Sequence, residues 1–492
     1  MKKLLLVPLL AAACLCLLAA PALAATTVTV YPAGKTADMK HNADTVDIKA
    51  AFKAAIAAGP GSTVQLAAGH FYINNILVTG FFGTFTGAGE GQTVIDCLRG
   101  LNPSLRGVTV FSGHLAPALL LFQDGAVRVS DMSFDITPAA PAEEWSNDVF
   151  GGPNDYLMDP LLLYGESSAA VDQVSFTGHA GDFYGMNTDK SVWVQPDALG
   201  GANVVFAMTR CTCATLEGVG HSGIDLVGAR ITIGGHAGQG NVFESAGDAC
   251  QFMDAWGSHI VVSHNRFQVG NDFNGALTSN GVEFDQGVSA INGGGAGATG
   301  APSHYLVSDN TMCVAPPANG VTFVDFGPLV GAGKLLDAVV SGNTMVLAGS
   351  LALDPVVNAA GIGEYYAQDV YVLDNRISGT GWCGIYLGTA LVGDDAPGSV
   401  SGWHIIGNDV RCVAAQAAPI YLGPGTTDCT VIGGPRPTYV LNEGTDNTLI
   451  DATDLPAAAA TTMHAMKQTR APDPSQPVRS HQLVDQRLPR CL

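Results

Sequence analysis

Acidic side chains recur inside short segments whose residues alternate between apolar and polar. The segment SGIDLVG carries Asp225, and the segment NGVEFDQ carries Glu283 and Asp285. Asp248 opens a third segment, DACQFMD. Alternation with a period of two is typical of a β-strand that has one buried and one outer face. If these strands lie side by side, their carboxyl groups share an outer face and can work in pairs.

Aligning the segments on their inward apolar pairs gives the separation of the acids. The aligned pairs are Ile224/Leu226, Cys250/Phe252, Val282/Phe284, Val321/Phe323, Ile385/Leu387 and Ile420/Leu422. The outward column then reads Asp225, Gln251, Glu283, Thr322, Tyr386 and Tyr421, with Asp285 in a second column. Strand spacing places the backbones of Asp225 and Glu283 about 10 Å apart, and those of Glu283 and Asp285 about 7 Å apart.

These separations suit two kinds of chemistry. Paired carboxyl groups can act as general acid and general base on a sugar linkage. The same oxygen atoms can instead bind calcium, a cation that prefers oxygen ligands. The acids could also be solvated surface charges. We take Asp225, Asp248, Glu283 and Asp285 as candidate catalytic residues, with Ca2+ as the alternative ligand.

Aromatic residues near these segments are candidates for sugar binding. Tyr184 and Trp193 lie in residues 180–202, which interrupt the strand pattern, and Tyr386 continues the outward column. Long loops in a repeat fold commonly frame the binding groove. We therefore predict that Trp193, Tyr184 and Tyr386 bind substrate.

An asparagine marks each repeat of the strand pattern. The segments SHNRF, SDNTM, SGNTM, LDNRI and IGNDV contain Asn265, Asn310, Asn343, Asn375 and Asn408. Successive intervals are 45, 33, 32 and 33 residues, and a glycine-rich stretch at 290–302 lengthens the first. A near-constant period of this size indicates stacked supersecondary units. Because asparagine tolerates the left-handed backbone region and bonds locally, we expect one asparagine per coil to stack at a fixed corner.

With these strands, turns and asparagines, the chain resembles the right-handed parallel β-helix proteins of the pectin lyase-like superfamily. The segment TVDIKAAFKAAIAAGPGSTVQLAAGHFYI, residues 45–73, is similar to the entrance of that family. The resemblance covers roughly residues 27–452. It implies an all-β, single-stranded right-handed parallel β-helix (solenoid) with an N-terminal capping helix.

Two short motifs resemble those of the polygalacturonases within this superfamily. Residues 187–189 (NTD) match their Asn-x-Asp motif, and residues 220–223 (GHSG) are similar to their Gly-His-Gly motif. This resemblance adds His221 to the candidate catalytic residues. The chain departs from the polygalacturonase pattern because no Asp-Asp pair lies between residues 189 and 220 and no Arg-x-Lys follows.

Composition limits the partners and the compartment. The chain has 22 Lys and Arg against 43 Asp and Glu, a net charge of −21, which argues against nucleic acid because phosphate binding needs clustered Lys and Arg. Residues 1–24 join Lys2 and Lys3 to an apolar run that ends in small residues, which predicts a signal peptide. No other apolar run is long enough to span a membrane. We expect an exported protein, secreted or periplasmic, without a transmembrane segment.

The remaining chain divides into a parallel β-helix domain, residues 25–454, and a C-terminal tail, residues 455–492. The tail lacks strand periodicity, and disorder is expected there. The cysteines lack Cys-x-x-Cys metal spacing and are predicted to be small core residues with at most one or two disulfides.

The acidic column predicts a protein that binds a polysaccharide and cleaves or modifies it, and we expect that protein to be a monomer. The hydrolase, lyase and epimerase types all stay open. The alternative is a non-catalytic cell-surface or adhesive β-helix, which a chain with 61 Gly and only 13% charged residues also suits.

Overall fold

The structure is a computed structural model that describes most of the β-helix domain in separate ranges. The described residues are 25–34, 43–73, 76–97, 109–110, 114–115, 118–136, 159–179, 192–195, 205–216, 222–245, 250–269, 279–283, 304–314, 321–325, 335–352, 357–361, 367–381, 384–389, 400–412, 418–433 and 440–451. The predicted signal peptide, residues 1–24, and the C-terminal tail, residues 455–492, lie outside the described residues.

Almost every strand of the described chain belongs to one parallel sheet that coils around an apolar core. Thirty-five strands form this sheet, and each pairs with a strand one coil away in the chain. Parallel strands joined by crossover connections in one sheet wind with a right-handed sense. The predicted class, an all-β right-handed parallel β-helix, is confirmed.

This parallel sheet bends at the corners of the coil into three sides, which are called sheet 1, sheet 2 and sheet 3 below. Sheet 1 consists of Ile76–Thr79, Ala118–Gln123, Asp159–Tyr164, Val192–Gln195, the first parts of Ser222–Gly234 and Cys250–Ser263, Ser279–Glu283, Val321–Asp325, Val357–Gly361, Ile385–Thr389, Ile420–Leu422 and Val440–Asn442. Sheet 2 consists of Thr27–Val30, Ser62–Leu66, Phe82–Thr86, the first parts of Ala126–Ile136 and Ser168–His179, Val205–Thr209, the second parts of Ser222–Gly234 and Cys250–Ser263, His304–Ser308, Leu335–Ser341, Ala367–Leu373, Val400–Ser401, His404–Ile406, Thr426–Thr427, Thr430–Ile432 and Thr448–Ile450. Sheet 3 consists of Gly69–Ile73, Thr93–Cys97, the second parts of Ala126–Ile136 and Ser168–His179, Thr212–Leu216, Val242–Ser245, Arg266–Val269, Thr311–Val314, Thr344–Ala352, Arg376–Gly381 and Asp409–Cys412. A separate antiparallel pair joins Thr109–Val110 to His114–Leu115.

The single helix of the described chain, Ala43–Ala58, closes the N-terminal end of the apolar column. Ile48 and Phe52 are buried, and the Phe52 ring lies 5.2 Å from that of Phe81 and 5.5 Å from that of Phe122, measured between centroids. The helix therefore covers core residues and strand edges that would otherwise face water. The predicted capping helix is confirmed. In the described chain, no helix combines the length and apolarity needed to cross a membrane.

A continuous line of asparagine side chains runs along the corner between sheets 2 and 3. Its buried members are Asn241, Asn265, Asn310, Asn343, Asn375 and Asn408. Each of the first five donates its backbone N–H and its side-chain amide to Oδ1 of the next, at 2.9 to 3.0 Å. The amide also donates to a carbonyl of the preceding coil, as Asn343 does to Val307 at 2.9 Å. The predicted stack is confirmed, and Asn241 extends it.

The bend at this corner is made by the residue before the asparagine. His264, Asp309, Gly342, Asp374 and Gly407 have φ between 53° and 69°. Our assignment of the left-handed region to the asparagines is therefore wrong, because the asparagine amide is used instead to bond the backbone groups around the bend. At Gly342 a Cβ atom would also lie 2.8 Å from Oδ1 of Asp309, so this position needs glycine for two reasons.

Four cysteines of the described chain are buried at core positions, and none of the four is in a disulfide. These are Cys211, Cys213, Cys313 and Cys429. Burial raises the pKa of Cys211 to about 12 and that of Cys429 to about 11. Cys211 occupies the corner position on the coil before Asn241 and donates its backbone N–H to that side chain at 2.9 Å. For these four residues, the predicted role as small core side chains is confirmed.

One carboxyl group is buried at the corner between sheets 1 and 2. Glu166 is 2% exposed, and its Oε1 accepts a hydrogen bond from the Gly125 N–H at 3.1 Å. Its Oε2 has no partner among the described residues. Burial raises the pKa of Glu166 to about 8. The hydrogen bond from Gly125 lowers this pKa, and the negative charge of Asp124 raises it further. The carboxyl group is therefore mostly protonated at neutral pH.

Removing an asparagine from the middle of the line should destabilise the coil stack. Asn343→Ala leaves the donors of Asn310 and the carbonyl of Val307 without their partner, and a buried unpaired group costs about 1–3 kcal/mol. We expect the urea unfolding midpoint to fall by the equivalent of about 2 kcal/mol or more. Asn442→Ala, at an exposed asparagine, is the control and should change the midpoint much less. Equal midpoints for Asn343→Ala and wild type would contradict the structural role of the line.

Glu166 predicts a pH dependence of stability. Its pKa is about 8 in the folded chain against an ordinary value of 4.5, so the folded state keeps a proton that the unfolded chain releases. The free energy of unfolding should therefore fall as the pH rises from about 5 through 8, by about 5 kcal/mol at most. Glu166→Gln should melt at a higher temperature than wild type at pH 9, with the difference shrinking toward pH 4.5.

Glu90→Gln, at an exposed position, is the matched control and should follow the wild-type curve at every pH. Parallel melting curves for Glu166→Gln and wild type across this range would show that the carboxyl group is not buried as described.

Candidate functional site on sheet 1

The outer face of sheet 1 carries one column of acidic, amide and aromatic residues in register on consecutive coils. In chain order these residues, here called the site column, are Trp193, Asp225, Asp254, Glu283, Asp325, Asn358, Tyr386 and Tyr421. Neighbouring strands lie about 4.8 Å apart, so the acidic positions span about 14 Å and the column about 34 Å.

Buried residues on either side of the site column fix the face on which it lies. Ile224 and Leu226 flank Asp225, and both are fully buried in the core. Ile385 and Leu387, several coils further on, are equally buried. Because successive residues of a strand belong to opposite faces, the position between two core residues belongs to the outer face.

The register differs from the sequence alignment at the strand Cys250–Ser263. Asp254, rather than Gln251, is the partner of Asp225. The strand is displaced by three residues from the alignment, and the predicted inward pair Cys250/Phe252 is wrong. Apolar residues occupy both phases of this strand, so alternation alone could not decide which phase faces the core.

The strand Val321–Asp325 shows the same kind of difference. Asp325, rather than Thr322, is the partner of Glu283. Val324 is fully buried, although the alignment placed it on the outer face. The inward pair chosen for this strand is therefore wrong, and a fourth acidic position joins the column.

Several predicted site residues cannot be placed in full. His221, Asp248, Asp285 and Tyr184 lie outside the described residues. The backbones of Trp193, Asp225 and Glu283 are described, and their side chains are not. Asp225 and Glu283 share one column two strands apart, as the alignment expected, while the roles of all these residues stay predictions.

The C-terminal end of the site column is aromatic. The ring centroids of Tyr386 and Tyr421 are 5.3 Å apart, and the Tyr421 hydroxyl donates to Oε2 of Glu443 at 2.6 Å. Tyr386 is 1% exposed, and its hydroxyl would lie 2.4 Å from a Cβ atom at Gly388, so the ring lies over a position without a side chain. Tyr386 thus continues the column as predicted, but its ring is buried, and the half-buried Tyr421 is the more accessible ring; substrate binding by Tyr386 stays a prediction.

The N-terminal end of the same outer face is apolar. Leu121 and Leu162 precede Trp193 in the register, and both are buried although they lie outside the main core. The outer face is thus covered at this end. The acidic positions begin immediately beyond Trp193, between a covered apolar end and an aromatic end.

The acidic positions have like-charged neighbours and no basic residue in sheet 1. None of the sheet 1 strands, as described, contains Lys, Arg or His. Like charges directly opposite each other on neighbouring strands are destabilising, and a pair about 5 Å apart repels by about 1 kcal/mol even in water-like surroundings. Carboxylates at these neighbouring positions would repel one another, so we expect the site column to contribute nothing to stability.

An acidic residue on sheet 2 shows the contrasting arrangement. Asp172 accepts hydrogen bonds from Arg128 at 2.6 Å and from Nε of Arg210 at 2.9 Å. Burial raises the pKa of Asp172, but the hydrogen bonds from Arg210 and Thr209 and the arginine charges outweigh it and hold the pKa below its ordinary value. This carboxylate is paired, and it stabilises the coils that it joins.

The described side chains do not form a metal site. Among them, no group of three or more His, Cys, Asp or Glu could hold a metal ion. The side chains of the acidic positions in the site column do not belong to that set. Calcium binding at the column therefore stays a prediction.

Comparisons with known proteins give structural similarity only. No family model and no curated protein matches the chain. The chain is similar to the A-module of the mannuronan C-5 epimerase AlgE4 of Azotobacter vinelandii, with 15% identity over 85% of this chain and 97% of that one and a TM-score of 0.44.

Two further solved structures are similar to this chain over a comparable share of its length. One is a mutant tailspike protein of E. coli bacteriophage HK620 in complex with pentasaccharide, with 14% identity over 86% of this chain and 76% of that one and a TM-score of 0.42. The other is a PL6 family polysaccharide lyase from Pseudopedobacter saltans, with 9% identity over 88% of this chain and 94% of that one and a TM-score of 0.34. At these values no activity and no residue role is transferred to this chain.

Neutralising a site-column acid should not destabilise the protein. Asp254→Asn removes repulsion from Asp225 and Glu283, so its melting temperature at low ionic strength should equal or exceed that of wild type. Asp172→Asn is the matched change at a paired aspartate and should lower the melting temperature, since a hydrogen bond to a charged group contributes about 1.5–3 kcal/mol. A clear loss of stability in Asp254→Asn would show that the column is paired rather than repulsive.

Proposed function

We propose that this protein binds a polysaccharide along the site column and cleaves or modifies it there. The observation that carries the proposal is the register that joins four consecutive acidic positions to aromatic positions at both ends. A column of about 34 Å is long enough for several sugar units in a row. Carboxylates accept hydrogen bonds from sugar hydroxyls, and aromatic rings offer apolar faces.

The spacing of the acids favours hydrolysis among the polysaccharide reactions. Residues on neighbouring strands have their backbones about 4.8 Å apart. Their carboxyl groups can therefore lie near the separation of about 5–5.5 Å found in enzymes where one carboxyl group is the acid and the other is the nucleophile. Two like charges so close together do not both ionise easily, so one carboxyl keeps its proton. One group can then protonate the linkage oxygen while its ionised neighbour bonds to the sugar, and the glycosidic bond breaks with release of the protonated leaving sugar. Water then hydrolyses the bond between the carboxyl group and the sugar, and the first group takes back a proton from that water.

Glu283 is the best candidate for the proton donor. It has an acidic partner on each side, Asp254 and Asp325. Asp254 also has two acidic partners, Asp225 and Glu283, so the register offers two inner acids to share the roles of acid and nucleophile. We assign Glu283 as general acid and Asp254 as its ionised partner, with Asp225 beyond it. Asp248, Asp285 and His221 are proposed to support the same site.

We also propose that the protein acts as a monomer. One chain supplies the whole column, so a monomer is sufficient. Export, as residues 1–24 predict, would place the protein where it meets polysaccharides.

Replacing the proposed proton donor Glu283 should slow turnover strongly without unfolding the protein. Purified wild type is screened against neutral and uronate polysaccharides by release of reducing ends and by absorbance of unsaturated products. Glu283→Gln should lower the rate by about a hundredfold or more while changing stability by about 0.5 kcal/mol or less. Glu244→Gln, at an exposed position on sheet 3, should keep the full rate.

Three outcomes separate the alternatives. An active wild type whose Glu283→Gln variant keeps its rate would remove Glu283 from the reaction. Activity or binding lost to a chelator and restored by calcium would assign the acids to calcium rather than to proton transfer. Binding of a polysaccharide with no turnover on any polymer would favour the non-catalytic β-helix.

A further inference from the structure

Charge is distributed unequally among the three sheets. Within the described residues, the strands of sheet 1 carry five acidic residues and no Lys, Arg or His. The acids are Asp159, Asp225, Asp254, Glu283 and Asp325. Arginines lie instead on the other two sheets, where Arg210, at the end of a sheet 2 strand, bonds Asp172 and Arg411, on sheet 3, lies 3.0 Å from Asp409. The surface proposed to bind a polysaccharide thus has four acidic positions in a row between an apolar end and an aromatic end, and no Lys, Arg or His of the described sheet 1 strands offsets them.

This charge pattern discriminates between classes of polysaccharide. A polyuronate carries a carboxylate on every sugar, and tight carboxylate recognition uses the fork of an arginine or the ammonium of a lysine. On sheet 1 such a polymer would bring its charges to within about 5–10 Å of four acidic positions, with no cation of the sheet to offset the repulsion. An uncharged sugar presents hydroxyl donors, which carboxylates accept.

We propose that the polysaccharide bound on sheet 1 is uncharged and hydroxyl-rich, and that the acidic column selects it against uronates. This inference rests on the proposed function and adds the substrate class. The accessible ring of Tyr421 supports it, because an aromatic face binds the apolar face of a sugar without requiring charge. The bond of its hydroxyl to Glu443 at 2.6 Å holds that ring in place at the end of the column.

Polymers that share a backbone and differ only in charge test this inference. The pairs are hydroxyethyl-cellulose with carboxymethyl-cellulose, dextran with carboxymethyl-dextran, and methyl-esterified with de-esterified homogalacturonan. Binding to wild type is measured by affinity electrophoresis and calorimetry at low and high salt. In each pair that binds, we expect the neutral member to bind at least about tenfold more tightly at low salt, and the difference to shrink at high salt because salt screens the repulsion.

Variants locate the origin of the discrimination. Asp325→Asn removes one acidic position and should narrow the difference between the members of a pair. Glu244→Gln removes a charge from sheet 3 and should leave that difference unchanged. Tyr421→Ala should weaken binding of the neutral polymer.

The outcomes separate the inference from the proposed function. Tighter binding of the carboxylated members, or of cationic chitosan, would overturn the substrate class while leaving polysaccharide binding intact. An unchanged discrimination in Asp325→Asn would also overturn the inference, because the selectivity would then arise elsewhere. Failure to bind any polymer would overturn the proposed function and the inference together.

Discussion

The buried hydrogen bonds that link Asn241 through Asn408 are the constraint on which the rest of the structure depends. Each amide fixes the next coil in height and in register, because two donors converge on a single oxygen. A slip of one residue would leave these groups unpaired and would also exchange the inner and outer faces of every strand. The alignment of the site column on sheet 1 is thus set at a corner on the other side of the coil.

Acidic residues occur in two different surroundings in this protein. On sheet 2 the carboxylate of Asp172 is held between two arginines, and this arrangement joins neighbouring coils. On the described strands of sheet 1, acidic positions follow one another without Lys, Arg or His, and burial of the residues behind them, such as Ile224 and Leu226, can offset repulsion between carboxylates there. A fold whose stability comes from a continuous core and a buried polar corner can carry such a surface. Stability and chemistry are therefore assigned to different sides of the coil.

The asparagine line could be predicted because its chemistry resides in one residue type at a near-constant interval. The site column could be predicted only in part. Asp225 and Glu283 lie in one column, as the alignment predicts, but the alignment puts Gln251 and Thr322 where the structure has Asp254 and Asp325, because apolar residues occupy both phases of those strands. The constant interval of 29 residues from Asp225 to Asp254 and from Asp254 to Glu283 was a signal that could have found the correct register.

Other features depend on neighbours that a single segment does not reveal. The burial of Tyr386 requires the space over Gly388. Strand alternation predicts only the face of the sheet from which the Tyr386 side chain leaves the backbone. The protonated Glu166 occupies a corner whose direction is set by the path of the coil, and nothing in its own segment indicates burial. These are consequences of packing between coils, which local patterns do not encode.

The direction of the asparagine bonds makes each coil an interchangeable unit. From Asn265 to Asn375, each asparagine accepts at its oxygen from the asparagine of the coil before it and donates a side-chain N–H to the asparagine of the coil after it, so one coil with this corner can follow another. Insertion or loss of a whole coil would leave the corner chemistry unchanged and would alter the length of the outer face in steps of about 4.8 Å. Such a chain could evolve toward longer or shorter ligands by duplication of coils, without redesign of its core.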